Sequence, residues 1–238
     1  MLIAARNGMM AGKAGLKWVD AYVFRAEDYV DGSAYWYDTS GTASFSEMTT
    51  SGLVLKDSGG IYVSGELNKN STRNAPWIYS GSITDTAFRV LVDATLDFRT
   101  AVPNIILDNS VGNTGSNTRR FVLGYTTSGE AYTNWKMNGN NSGGTFNPTQ
   151  KSVVFSPPCT ANGVFECGCR PQEDGYVCYT AFNGRDTSVG PVRQLSDFGS
   201  AIGNNVLTNL TIGAALISST FGYVTGRYRS IRFQTLAS

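Results

Sequence analysis

Apolar and polar residues alternate with a period of two through most of this chain, in runs too short for helices. The alternation predicts strands over 22–24, 34–37, 52–56, 61–64, 86–94, 104–108, 119–125 and 131–137. Further strands are predicted over 152–155, 164–169, 175–182, 207–213 and 223–234. Turn-forming pairs separate them, among them Asp31-Gly32, Ser58-Gly59-Gly60, Asn138-Gly139, Asp174-Gly175 and Asn183-Gly184. About a dozen short strands at this spacing, with no helical period, predict an all-β chain folded as an antiparallel β-sandwich. The last strand departs from strict alternation, because Tyr228, Ile231 and Phe233 are its apolar positions. Residues 228 and 231 can share a face only if one extra residue intervenes, which predicts a β-bulge at Arg229-Ser230.

Two stretches sharpen this outline. In 131–137, Trp135 shares a face with Thr133 and Met137 and reads as core, which leaves Tyr132 and Lys136 outside. Residues 1–17 show no alternation at all. They hold small residues with a few apolar anchors, Leu2, Ile3, Met9 and Met10, around Arg6. A frayed end is one reading. The other is an arm that orders against a second subunit, since those apolar side chains are costly to leave in water. Nothing between 18 and 238 resembles a linker or an internal repeat, so one domain is expected there, preceded by the arm.

Composition then narrows the chemistry. The 238 residues are only 16% charged, with a net charge of +1. That balance gives no electrostatic reason to expect nucleic acid or an anionic membrane as a partner. No apolar run reaches the roughly 20 residues that span a bilayer. The first residues lack the cationic and apolar regions of a secretory signal. Histidine is absent, which removes Ser-His-Asp and Cys-His catalysis and HExxH zinc sites together.

All four cysteines, Cys159, Cys167, Cys169 and Cys178, fall within 20 residues. Their spacing lacks the close pairs of a zinc knuckle. If 164–169 and 175–182 form a hairpin around 170–174, Cys167 faces Cys178 and a disulfide between them is feasible with local adjustment. The alternative is a set of small buried thiols, favoured by folding in a reducing compartment.

The closing segment 209–236, NLTIGAALISSTFGYVTGRYRSIRFQTL, resembles the final hairpin of laminin G-like domains, members of the concanavalin A-like lectin/glucanase jelly rolls. Trp36-Tyr-Asp-Thr-Ser-Gly is similar to that family's early segment. Thr86-Ala-Phe-Arg-Val-Leu-Val resembles its long strand, and Gly175-Tyr-Val-Cys-Tyr-Thr-Ala-Phe-Asn-Gly-Arg its late strand and turn. The resemblance implies a jelly-roll sandwich over 18–238. The glucanases of this fold carry an E-x-D-x-E strand, whose alternation aims all three carboxylates into one cleft. No such triplet exists here, so a non-enzymatic domain is expected. Calcium binding occurs in the family, and Asp28, Asp31 and Asp108 are the oxygen donors considered for it; turn stabilisation explains them as well, and no cofactor is expected. For carbohydrate, exposed aromatics are the expected ligands' platform, and Tyr35, Trp36, Tyr37 and Tyr132 are the candidates.

The opening Ala4-Ala5-Arg6-Asn7-Gly8 ahead of such a sandwich resembles a group of tailed-bacteriophage virion proteins. That resemblance implies a virion structural or accessory protein, a capsid decoration or tail component, assembled in the host cytoplasm. Its arm would engage other virion proteins, and a homo-oligomer is implied. The alternative is a carbohydrate-binding receptor-recognition or adhesin module directed at a host surface glycan.

Overall fold

A computed structural model describes residues 15–46, 48, 54–64, 77–80, 83, 85, 87–108, 122–132, 150–194, 210–217 and 220–237. The assembly arm with Leu2, Ile3, Arg6, Met9 and Met10 lies outside the described residues, as does Trp135. The strands in chain order begin with β1 (Trp18–Arg25), β2 (Trp36–Tyr37), β3 (Ser44–Ser46), β4 (Val54–Asp57), β5 (Gly60–Ser64) and β6 (Trp77–Ser80). Then come β7 (Phe88–Phe98), β8 (Asn104–Asp108), β9 (Val122–Tyr125), β10 (Ala131–Tyr132), β11 (Gln150–Lys151) and β12 (Cys159–Gln172). The last are β13 (Gly175–Phe182), β14 (Arg185–Val189), β15 (Thr211–Ile212), β16 (Ala214–Ile217), β17 (Thr220–Tyr223) and β18 (Thr225–Leu236).

These strands make an antiparallel β-sandwich of the jelly-roll type. One sheet has nine strands in the order β11-β14-β13-β12-β7-β18-β5-β4, with β1 also paired to β18. The facing sheet has seven, in the order β10-β9-β8-β15-β6-β3-β2. Strand β18 runs the length of β7 on one side. On its other side it pairs first with β5 through Thr225–Tyr228, then with β1 from Ser230 onward. The predicted bulge is there: the register slips between Tyr228 and Ser230, and Tyr228, Ile231 and Phe233 all reach the core. Gly226 allows the tight approach of β7, because a Cβ at that position would stand 2.2 Å from the Thr95 carbonyl oxygen.

The core lies between the sheets and is aromatic at both ends. Phe98, Tyr125, Phe155, Phe165 and Phe182 pack ring against ring, with Phe98 and Phe155 stacked at 4.6 Å. At the other end Phe24 meets Phe45 at 4.7 Å and Trp36 at 5.7 Å. Between β2 and β3, Asp38 organises the loop by accepting hydrogen bonds from the backbone N–H groups of Ser40, Thr42 and Ala43 and from the Ser40 hydroxyl. Burial works against its charge, but these donors outweigh burial and hold its carboxyl below the ordinary carboxylate range. A depressed folded pKa contributes stability that is fully present above the unfolded value of about 3.9 and is lost as pH falls through the lower, folded value. Asp38→Asn is therefore expected to cost about 1.5–3 kcal/mol at neutral pH and to flatten the acid limb of a stability-against-pH curve measured by urea unfolding.

The cysteine hairpin differs from its predicted register. Strand β12 continues to Gln172, and the turn contains Glu173 and Asp174 alone, with Glu173 at φ 54°. Cys178 consequently faces Cys169, while Cys167 faces Thr180, so the pairing of Cys167 with Cys178 is corrected. The reason lies in Arg170, Pro171 and Gln172, which keep pairing with Val177, Tyr176 and Gly175 instead of forming a wide loop. All four cysteines are free thiols, and Cys167, Cys169 and Cys178 are buried. Burial, reinforced by neighbouring Cys169, pushes the Cys178 thiol well above its ordinary range.

Candidate functional site

Strand β7 sorts its residues cleanly. Phe88, Val90, Val92, Ala94, Leu96 and Phe98 enter the core, so Arg89, Leu91, Asp93, Thr95 and Asp97 must point to the outer face of the larger sheet. Neighbouring strands add to that face in register: Glu166 and Arg170 from β12, Tyr179 from β13, Gln234 and Arg232 from β18, and Trp18 and Asp20 from β1. Gly168 sits between Arg89 and Tyr179 in the ladder. It contributes no side chain, and a Cβ there would stand 2.4 Å from the Phe88 carbonyl oxygen. The same face holds a hollow of about 280 Å³, lined chiefly by Leu16, Trp18, Arg89, Glu166, Arg170 and Tyr179.

Aromatic rings and hydrogen-bonding groups meet in this hollow. The Arg89 guanidinium lies 4.9 Å from the centre of the Trp18 ring, and that of Arg170 lies 4.1 Å from the Tyr179 ring. Arg170 also donates two hydrogen bonds to Asp186, at 3.1 and 2.9 Å. The Tyr179 hydroxyl donates to Glu166 at 2.5 Å, and Arg89 approaches the same carboxylate oxygen at 3.4 Å. Burial, then the Glu166 charge, pushes the Tyr179 phenol well above its ordinary range, so it stays a proton donor at neutral pH. From Arg89 the network continues through Gln234 at 2.6 Å to Asp20 at 2.7 Å, which Arg232 binds at 2.8 Å. The arrangement fixes donors and acceptors in place beside the Trp18 ring, while the Tyr179 ring is buried beneath Arg170. Along β12 the same-face neighbours of Glu166 are Val164 and Gly168, so that strand aims no second carboxylate into the hollow.

The residues expected from sequence fare differently. Tyr35 and Tyr37 are about half exposed and stacked, with ring centres 5.7 Å apart and planes inclined by 30°. Trp36, between them, points the other way: it is fully buried and donates from Nε1 to the Arg25 carbonyl at 2.9 Å. Its candidacy as a ligand-binding residue is corrected, because alternation on an edge strand sends it into the core. The side chain of Tyr132 lies outside what is described. Of the oxygen donors considered for calcium, Asp108 is buried in β8, and Asp31 accepts from the backbone of Lys56. Among the described residues no group of three or more metal-ligating side chains gathers. The hollow itself was not legible. Period-two reading places Arg89, Glu166 and Tyr179 on outward faces, but says nothing of which strands stand side by side.

No protein-family model matches the chain, and no curated protein matches it. Solved structures do. The CBM40 of a Ruminococcus gnavus IT-sialidase, bound to α2,6-sialyllactose, aligns at a TM-score of 0.42 and 12% identity over 62% of this chain and 76% of its own. An endo-1,3-β-glucanase from Streptomyces sioyaensis aligns at 0.42 and 12% identity over 93% and 97%. A Trypanosoma rangeli sialidase aligns at 0.48 and 10% identity over 90% of this chain and 30% of its own. At these scores and identities the likenesses assign neither ligand nor activity, and the architecture rests on the chain's own two sheets.

Proposed function

We propose that this protein is a non-catalytic carbohydrate-recognition domain whose ligand sits on the outer face of the larger sheet. The observation that carries this reading is the outer-face hollow, where the partly exposed Trp18 ring stands beside hydrogen-bonding groups already held in position. A sugar ring presents an apolar C–H face and a rim of hydroxyls, and a site for it needs both kinds of surface close together. Preformed positions reduce the ordering cost of binding. The stacked pair Tyr35 and Tyr37 offers a second exposed aromatic surface on the opposite sheet. Probing a glycan array and intact host surfaces with the purified chain tests the reading, and signal no higher than background on both would end it.

A second reading concerns where the domain is mounted. The motif Ala4–Gly8 favours a bacteriophage virion protein, held on capsid or tail by residues 1–17 and presenting the sandwich outward. The two roles are compatible in one chain. Deleting residues 1–17 is expected to abolish incorporation into particles while the sandwich stays folded by circular dichroism. Incorporation at the full-length level would remove the arm from that role.

A further inference from the structure

A second hollow, of about 410 Å³, opens on the same sheet face between β1, β7 and β18, lined among others by Asp20, Arg25, Asp93, Arg229, Ser230 and Arg232. It is joined to the first by the bonded series Arg89–Gln234–Asp20, in which Arg89 lines one hollow and Asp20 the other. The strands involved run in the order β13-β12-β7-β18, with β1 next to β18. At about 4.8 Å per strand the two hollows together extend roughly 19 Å across the sheet. That is room for a ligand of several rings lying across the strands.

Charge decides what kind of ligand. Among the described residues, each guanidinium lining the two hollows is already engaged by a carboxylate of the protein. Arg170 gives both Nη groups to Asp186, and Arg232 gives Nε and Nη2 to Asp20. Arg229 binds Asp93 through Nε and Nη2 and Thr95 through Nη1. Arg25 pairs with Glu27, and Arg89 spends Nε on Gln234 and Nη1 on Glu166. A carboxylate or phosphate on the ligand would want the two-pronged face of an arginine. Here it would have to displace a resident carboxylate. At the largely buried Arg89–Glu166 and Arg170–Asp186 pairs that leaves a charge without its partner. At the more exposed pairs of Arg25, Arg229 and Arg232 it gains little over the pair it replaces. Hydroxyl groups, which both donate and accept, can add to these pairs without breaking them.

Resting on the carbohydrate reading, we infer that the two hollows are subsites of one groove that takes an uncharged oligosaccharide and discriminates against sialylated or uronic glycans. The test is an array of neutral and acidic glycans of increasing length, followed by calorimetric titration of the ones that bind. Uncharged glycans are expected to bind, with affinity rising at least tenfold once the chain is long enough to reach the second hollow. Ser230→Tyr and, independently, Val23→Trp each replace a small lining side chain with a large one and so fill that hollow. In either variant long and short glycans should bind alike. Binding confined to acidic glycans, or affinity independent of length in the unaltered protein, would overturn the inference while leaving carbohydrate recognition standing. An array without any binding would instead defeat the carbohydrate reading itself.

Discussion

Trp18→Ala is expected to weaken glycan binding about thirtyfold while leaving the fold intact. The indole forms one wall of the hollow and carries the Arg89 guanidinium 4.9 Å from its centre. Truncation removes the ring face on which a sugar would lie. It also removes the support that holds Arg89 toward Glu166 and Gln234. Loss of one large aromatic contact is worth about 2 kcal/mol, and 1.4 kcal/mol corresponds to one decade in Kd. Trp18→Phe should recover part of the loss, because a smaller ring keeps the stacking face. The residue opens β1 on the outer side of the sheet, opposite Leu236, so the unfolding midpoint should move little. The double replacement Tyr35→Ala with Tyr37→Ala is the informative partner. If it abolished binding while Trp18→Ala kept it, the sugar would belong on the other sheet.

Phe165→Ala is expected to cost about 3–5 kcal/mol, the largest stability effect of any single replacement considered. Phe165 is fully buried and touches rings from several separate segments: Phe98 at 5.9 Å, Phe155 and Tyr125 both at 6.1 Å, and Phe182 at 5.0 Å. These neighbours are held by strands of both sheets and cannot all move inward, so most of the vacated volume would persist as a cavity. Urea unfolding should show a lower midpoint at unchanged slope, and the melting temperature should fall by roughly 10 °C. A loss under about 1 kcal/mol would mean that the aromatic cluster does not close this end of the sandwich. The replacement also bears on function. Its neighbour Glu166 points out of the opposite face of the same strand, and a loosened β12 would let the hollow spread.

The outline of the fold was open to reading from residue order because β-structure writes itself locally. The alternation in Phe88–Phe98 specifies a strand and both of its faces without reference to anything else. The irregular spacing of Tyr228, Ile231 and Phe233 likewise contained its bulge, since a core face tolerates no polar residue in that register. Local reading failed where the deciding partner lay elsewhere. Read locally, the hairpin loop falls at 170–174, because nothing beside Arg170 in the chain marks it as paired. Arg170 becomes a strand residue once Asp186 on β14 engages it and the Tyr179 ring lies beneath it. Read the same way, Trp36 is a candidate platform for sugar, because alternation in Tyr35-Trp36-Tyr37 sends at least one ring out of the core without saying which. Its side of the strand was set by Phe24 and Phe45 on other strands.

The candidate site shows the same division more sharply. Arg89, Glu166, Tyr179 and Gln234 come from positions as far apart as 145 residues, and each is an ordinary outward-facing residue in its own strand. Sequence alone determined the two faces of the long strands, the closing bulge, the absence of histidine chemistry and the absence of a carboxylate triplet. Those are properties of one residue and its near neighbours. Only the tertiary structure decided that Trp18, Arg89, Glu166, Arg170 and Tyr179 line one hollow, and that four of the five arginines lining the two hollows pair with carboxylates from other strands. Strand order is fixed by packing summed over the whole core, and no short segment carries that sum.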